Sequence, residues 1–119
     1  MSATYTLLIY ASQPAKPLTE AEQTMALQRH RALQAELDAH GDLMSVARLD
    51  EPSSAKTVRS TDGATRILDG PYVESKEWLV GLYLIECANE DVALERARLI
   101  CSRNDICVEV RPVTWRRSP

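Results

Sequence analysis

Two segments of this chain have no polar face. In Tyr5-Thr6-Leu7-Leu8-Ile9-Tyr10, strand alternation puts Tyr5, Leu7 and Ile9 on one side and Leu8 and Tyr10 on the other. Gly81-Leu82-Tyr83-Leu84-Ile85 repeats the pattern, with Leu82 and Leu84 opposite Tyr83 and Ile85. A sheet built from such strands needs cover on both faces. Whatever else the chain folds into must supply that cover or borrow it.

Only two segments read as helices. Thr19-Glu20-Ala21-Glu22 is a capping box, with Thr19 as N-cap and Glu22 three residues on, and the helix runs to about His40 before Gly41. His40 in its last turn suits the negative end of the helix dipole. Asn89 caps a second helix, with Glu90 and Asp91 in its first turn and an apolar stripe of Ala93, Ala97, Ile100 and Cys101. Between the helices lie a strand at Leu43–Leu49, a polar loop at Asp50–Ser54, and two short strands joined by Asp62-Gly63. That dipeptide is a hairpin turn signal. Strands at Leu79–Cys87 and Ile106–Val113 complete an order of β-α-β-(hairpin)-β-α-β. The expected fold is α+β and ferredoxin-like, an antiparallel sheet with both helices on one face, as one domain over residues 1–119. Two helices cover one face, so the other is expected to pack against the same face of a second copy, burying above ~1,600 Å² in a homodimer.

Composition narrows the partners. The net charge of −3 argues against binding nucleic acid through its phosphates. Arg111, Arg116 and Arg117 form the only basic cluster and read as solvated charge. No apolar run approaches a membrane span, and the N-terminus lacks a signal peptide's basic lead and apolar core. Cys87, Cys101 and Cys107 form no C-x-x-C pair, and with two histidines they make no metal-ligand spacing, so buried thiols in a reducing cytoplasm are expected. Neither a cofactor nor a metal is expected.

The densest local signal is Asp69-Gly70-Pro71-Tyr72-Val73-Glu74-Ser75-Lys76-Glu77-Trp78. Asp-Gly-Pro is a turn: Gly70 tolerates positive φ or an extended pre-proline geometry, Pro71 fixes the next φ, and Asp69 can bond nearby amides. As a structural turn it needs no further explanation. A functional version holds Asp69 facing the interior, with Tyr72, Glu74, Lys76 and Glu77 as binding residues around a pocket mouth.

This segment, followed by Gly81-Leu82-Tyr83-Leu84-Ile85, resembles the signature of the YCII-related family, in the branch named for its DGPF motif. The opening Tyr5–Tyr10 and the closing Val108-Glu109-Val110-Arg111-Pro112 match as well, so the resemblance spans about residues 5 to 113. Tyr72 replaces the motif's phenylalanine. The resemblance implies a dimeric α/β barrel that pairs through its sheets, often with a small molecule between sheet and helices. It also implies a regulatory link to sigma factors, and a site made of a first-helix histidine with an aspartate. His30 stands eleven residues before Gly41, as that histidine does. At ~100° per residue it lies within about 60° of Ala26, Leu33 and Leu37, on the helix face turned to the sheet. Asp69 is the preferred partner and Asp42 the competitor. A histidine on an apolar stripe is also an ordinary core residue.

Two functions therefore stand side by side. One is a small-molecule-binding or regulatory accessory module. The other is a cofactor-independent enzyme with His30 as general acid or base, oriented by Asp69, since the chain has no nucleophile elbow and no phosphate loop.

Overall fold

The computed structural model describes residues 2–13, 16–72 and 76–117. Its elements run β1 (Ala3–Ser12), α1 (Glu20–Ala39), β2 (Leu43–Arg48), a short 3-10 turn (Pro52–Ser54), β3 (Lys56–Thr61), β4 (Ala64–Asp69), β5 (Glu77–Cys87), α2 (Glu90–Ile100) and β6 (Ile106–Pro112). The main sheet has four antiparallel strands in the order β2-β5-β1-β6, and β3-β4 pair separately. With the β3-β4 hairpin set aside, this is the ferredoxin-like arrangement.

The helix ends follow from the sequence. Thr19 Oγ1 accepts from the Glu22 amide at 3.1 Å while Glu22 Oε1 accepts from the Thr19 amide at 3.0 Å, closing the capping box. At the other end Gly41 takes φ +70°, and the Asp42 and Gly41 amides donate to the Leu37 and Asp38 carbonyls. These are the two bonds of a Schellman motif, and they leave few orphan carbonyls at that end. Asn89 caps α2 through a bond from the Val92 amide at 3.0 Å.

The core lies between the helices and one sheet face. Leu7, Leu33, Leu37, Tyr83 and Ile85 are the largest fully buried side chains, joined by Tyr5, Ile9, Ala93, Ala97 and Ile100. Burial of each large side chain contributes roughly 1.5–3 kcal/mol. The register pairs Leu8 with Leu82 and Thr6 with Leu84 on the opposite face, where no helix lies. Tyr10 and Leu79 extend that face past a bulge at Val80. Gly81 beside the bulge allows β2 to approach closely, since a Cβ there would meet the Ala47 carbonyl oxygen at 3.0 Å.

The hairpin departs from this economy. Asp62 and Gly63 take φ of 51° and 81°, as a two-residue hairpin turn of this hand requires. Val58 and Ile67 sit directly opposite each other and are 68% and 74% exposed. The expectation that Asp69 faces the interior does not hold. Its side chain is 89% exposed and forms an ion pair with Lys56, its cross-strand neighbour. The reason is that no layer packs over the end of β4, so the carboxylate meets only water and the lysine opposite. Gly70 does take a positive φ, +93°, and its amide donates to the Ala55 carbonyl at 2.8 Å, closing the base of the hairpin.

Candidate functional site

Tyr83 projects from the middle of β5 toward α1 and is 1% exposed. A phenol at that depth must find a hydrogen-bond partner for its hydroxyl. The inward stripe of α1 supplies two, one helical turn apart. His30 Nδ1 lies 2.8 Å from the hydroxyl and Gln34 Nε2 lies 3.2 Å from it. The Gln34 Nε2–H can only donate, and His30 Nδ1 is the acceptor in reach of the buried Tyr83 hydroxyl proton, so Tyr83 accepts from Gln34 and donates to Nδ1. The imidazole and phenol planes are nearly parallel, 10° apart, with centroids at 5.9 Å.

This bond fixes the tautomer. With Nδ1 accepting, the imidazole carries its proton on Nε2, which has no partner among the described residues. Burial pushes the His30 pKa below its ordinary 6.5, and the positive charge of Arg103 pushes it the same way. Burial raises the Tyr83 pKa above 10.0, opposed by the Gln34 bond. Both rings are therefore neutral near pH 7, which is the protonation state the hydrogen bond requires. The half-buried imidazole ends in an N–H able to donate to a carbonyl or carboxylate.

The sequence-predicted residues are spread over several elements and do not converge on one site. His30 lies under α1 facing the sheet. Asp69 lies in the exposed Lys56 pair at the end of the hairpin, and the structure does not bring it to His30. Asp42 sits past the far end of α1, about 18 Å along the helix axis from His30 at 1.5 Å per residue. Tyr72 is 68% exposed, with the Arg59 guanidinium 5.4 Å from its ring centroid. Lys76 and Glu77 are exposed where β5 begins, Glu77 opposite Ser12. Glu74 lies outside the described residues.

Tyr83 and Gln34 were missed from sequence. The signal was present: Tyr83 is the one polar-tipped residue on the helix-facing side of its strand segment, and His30 and Gln34 stand at i and i+4 on the stripe above it. Among the described residues no group of three or more His, Cys, Asp or Glu could hold a metal ion. Among the described residues no helix is long and apolar enough to cross a membrane.

A four-stranded antiparallel sheet with two helices on one face, and a tyrosine–histidine contact between the layers, makes this an α+β protein of ferredoxin-like architecture. The chain belongs to the YCII-related domain family, whose model matches residues 3–116. It is also 37% identical over 112 residues, 92% of this chain and 90% of the relative, to an uncharacterized protein of Rhizobium meliloti (strain 1021).

Proposed function

We propose that the protein is a small-molecule-binding module in which His30 Nε2–H donates a hydrogen bond to the ligand. The observation that carries this is an imidazole anchored through Nδ1 by Tyr83, with its other nitrogen unpartnered among the described residues. Binding of this kind needs a fixed donor and no tuned proton affinity. The carboxylate that would make a His–Asp pair does not bond His30, and this favours binding over the dyad. A thermal-shift screen of small carbonyl and carboxylate compounds tests it. At least one compound should raise the melting temperature of the native protein and fail to raise that of His30→Ala. A library in which every stabilising compound works equally well on both proteins would defeat the reading.

A second reading rests on the same bond. With the phenol donating to Nδ1, a proton given up by Nε2 would be replaced at Nδ1 by the Tyr83 proton, so the pair could act as a relay acid. This differs from an aspartate, which would accept from Nδ1–H and leave Nε2 as a base. In that case Tyr83→Phe should lower turnover by about 10²-fold or more while ligand affinity changes little. A loss confined to affinity returns the pair to a binding role.

The homodimer belongs to the same proposal. Leu8, Tyr10, Leu79, Leu82 and Leu84 share the sheet face that no helix covers. Packing that face on its own copy removes it from water. Light scattering should then give twice 13.3 kDa. Cys107 lies on the open face beside Tyr10, whereas Cys101 follows α2, and both are exposed in the protomer. Cys107 should therefore react with a thiol reagent more slowly than Cys101 in the assembled protein. A 13.3 kDa particle with two equally reactive cysteines would rule the dimer out.

A further inference from the structure

A cavity of about 600 Å³ opens where β1 ends, α1 begins and the α2–β6 connection passes. It lies within the size range of small-molecule pockets. It is separate from His30, which stands about 12 Å along the α1 axis from Glu22 on the cavity wall.

Its polar groups are unevenly occupied. Two carboxylates reach the cavity, and each is already bonded. Asp105 receives the fork of Arg103, Nε to Oδ1 at 3.0 Å and Nη2 to Oδ2 at 3.3 Å, and its side chain is only 11% exposed. Glu22 Oε1 receives the Thr19 amide, and the two Thr19 bonds hold its carboxyl below the usual range. The donors are in the opposite condition. Arg103 Nη1, the Lys16 ammonium, the Asn104 amide and the Ser102 hydroxyl have no partner among the described residues. The Asp105 fork fixes the guanidinium plane, so Nη1 is presented at a set angle without further loss of rotamer freedom. The Ser12 amide donates to the Asp105 carbonyl at 2.9 Å, tying that loop to the end of the sheet.

We propose that this cavity binds the carboxylate of a small organic acid, held by Arg103 Nη1 and Lys16 with Asn104 and Ser102 as supplementary donors. A metal cation would need carboxylates free to ligate, and both here are engaged. Two acids and two bases share the cavity, so selection comes from the aim of the donors and not from net potential. Affinity for a minimal ligand is accordingly weak, on the order of millimolar.

The test is a titration of isotope-labelled native protein with succinate at constant ionic strength, with sodium chloride and inorganic phosphate as the other arms. Succinate should give saturable shifts of the Ser12, Arg103 and Asn104 backbone amides. Lys16→Ala and Asn104→Ala should each weaken it, the former by about tenfold, as loss of a charged hydrogen bond does. Lys16 is exposed, so its replacement does not threaten the fold. Arg103→Met would strand the mostly buried Asp105 and is avoided for that reason. Shifts that do not saturate, that chloride reproduces, or that ignore both substitutions would overturn the site. Saturation by phosphate alone would overturn the carboxylate assignment. Because succinate is also of the class proposed for His30, the Lys16 and Asn104 substitutions separate the two sites, since the His30 reading involves neither residue.

Discussion

The main sheet and the β3-β4 hairpin are made of the same kinds of residue and end in opposite conditions. In the sheet, Leu7 and Ile85 are completely buried beneath helices. In the hairpin, Val58 and Ile67 face each other across the ladder and are mostly in water. Strand propensity and turn chemistry are equally good in both. The difference is cover, and a two-stranded ribbon without it is marginal on its own. The hairpin is held by local devices instead: the Asp62-Gly63 turn, the Gly70–Ala55 backbone bond, the Thr57 hydroxyl on the Gly70 carbonyl at 2.8 Å, and the Lys56–Asp69 pair. Propensity decides which form a segment takes, and burial decides how firmly it keeps that form.

The largest contrast is expected from apolar truncation. Leu37→Ala should cost about 2–5 kcal/mol in urea unfolding, because it opens a void beneath α1. Ile67→Ser, at an equally apolar strand position, should stay within about 0.5 kcal/mol in dilute protein. Repeating the pair at high concentration sharpens the comparison. If the Ile67 variant loses stability only there, the hairpin's apolar pair is covered in the assembled protein. Equal losses at high dilution would mean that hairpin and body are not distinct in the way described.

A smaller effect is expected at the base of the hairpin. Gly70→Val should cost about 1–2 kcal/mol through backbone strain alone, since φ is +93° and an added Cβ meets nothing within 4 Å. Gly81→Ala in the sheet should destabilise for the opposite reason. Its φ is not positive, but the new Cβ presses on the Ala47 carbonyl oxygen at 3.0 Å. A neutral result at Gly70 in melting experiments would show that the turn relaxes.

The smallest effect is a pH slope from His30, which has no counterpart in the hairpin. Its folded pKa lies below the unfolded value near 6.5, so the unfolded chain binds the proton first as pH falls. Stability from this group is complete above pH 6.5 and declines through the window below it, levelling off once the folded imidazole also protonates. The carboxylates of Glu22 and Glu86 are held below their ordinary 4.5, so their losses fall lower on the scale. The urea midpoint should therefore drop between pH 7 and pH 5 in the native protein and drop less in His30→Gln. Parallel slopes for the two proteins would assign the effect to other groups.

Much of the architecture was legible because it depends on local rules. The capping box of α1, the Asn89 cap of α2, the Asp-Gly turn and the double-faced strands each name a short-range physical requirement. The strand ends were less legible: β1 and β5 run on to a Ser12–Glu77 pairing, where polar residues continue a ladder begun by apolar ones. The candidate site was half legible. Helical geometry turned His30 toward the sheet, but its partner is a residue of β5, and no spacing rule joins positions so far apart in sequence. Tyr83 read as one more core aromatic until the depth of its hydroxyl made a partner obligatory. Asp69 was misplaced although the pairing was available, because counting outward from the Asp62-Gly63 turn sets Lys56 opposite it.

The uncovered hairpin also changes how the molecule moves through solvent. The radius of gyration is 16.3 Å and the principal extents are 46, 39 and 23 Å. A compact chain of this length would have a radius near ~13.5 Å. The molecule is a flattened plate with a projecting arm, so its frictional drag exceeds that of a sphere of equal mass. On a sizing column calibrated with globular standards a single protomer would elute early and imitate a heavier species. A column can therefore report two copies where there is one, whereas scattering intensity weighs the particle whatever its outline.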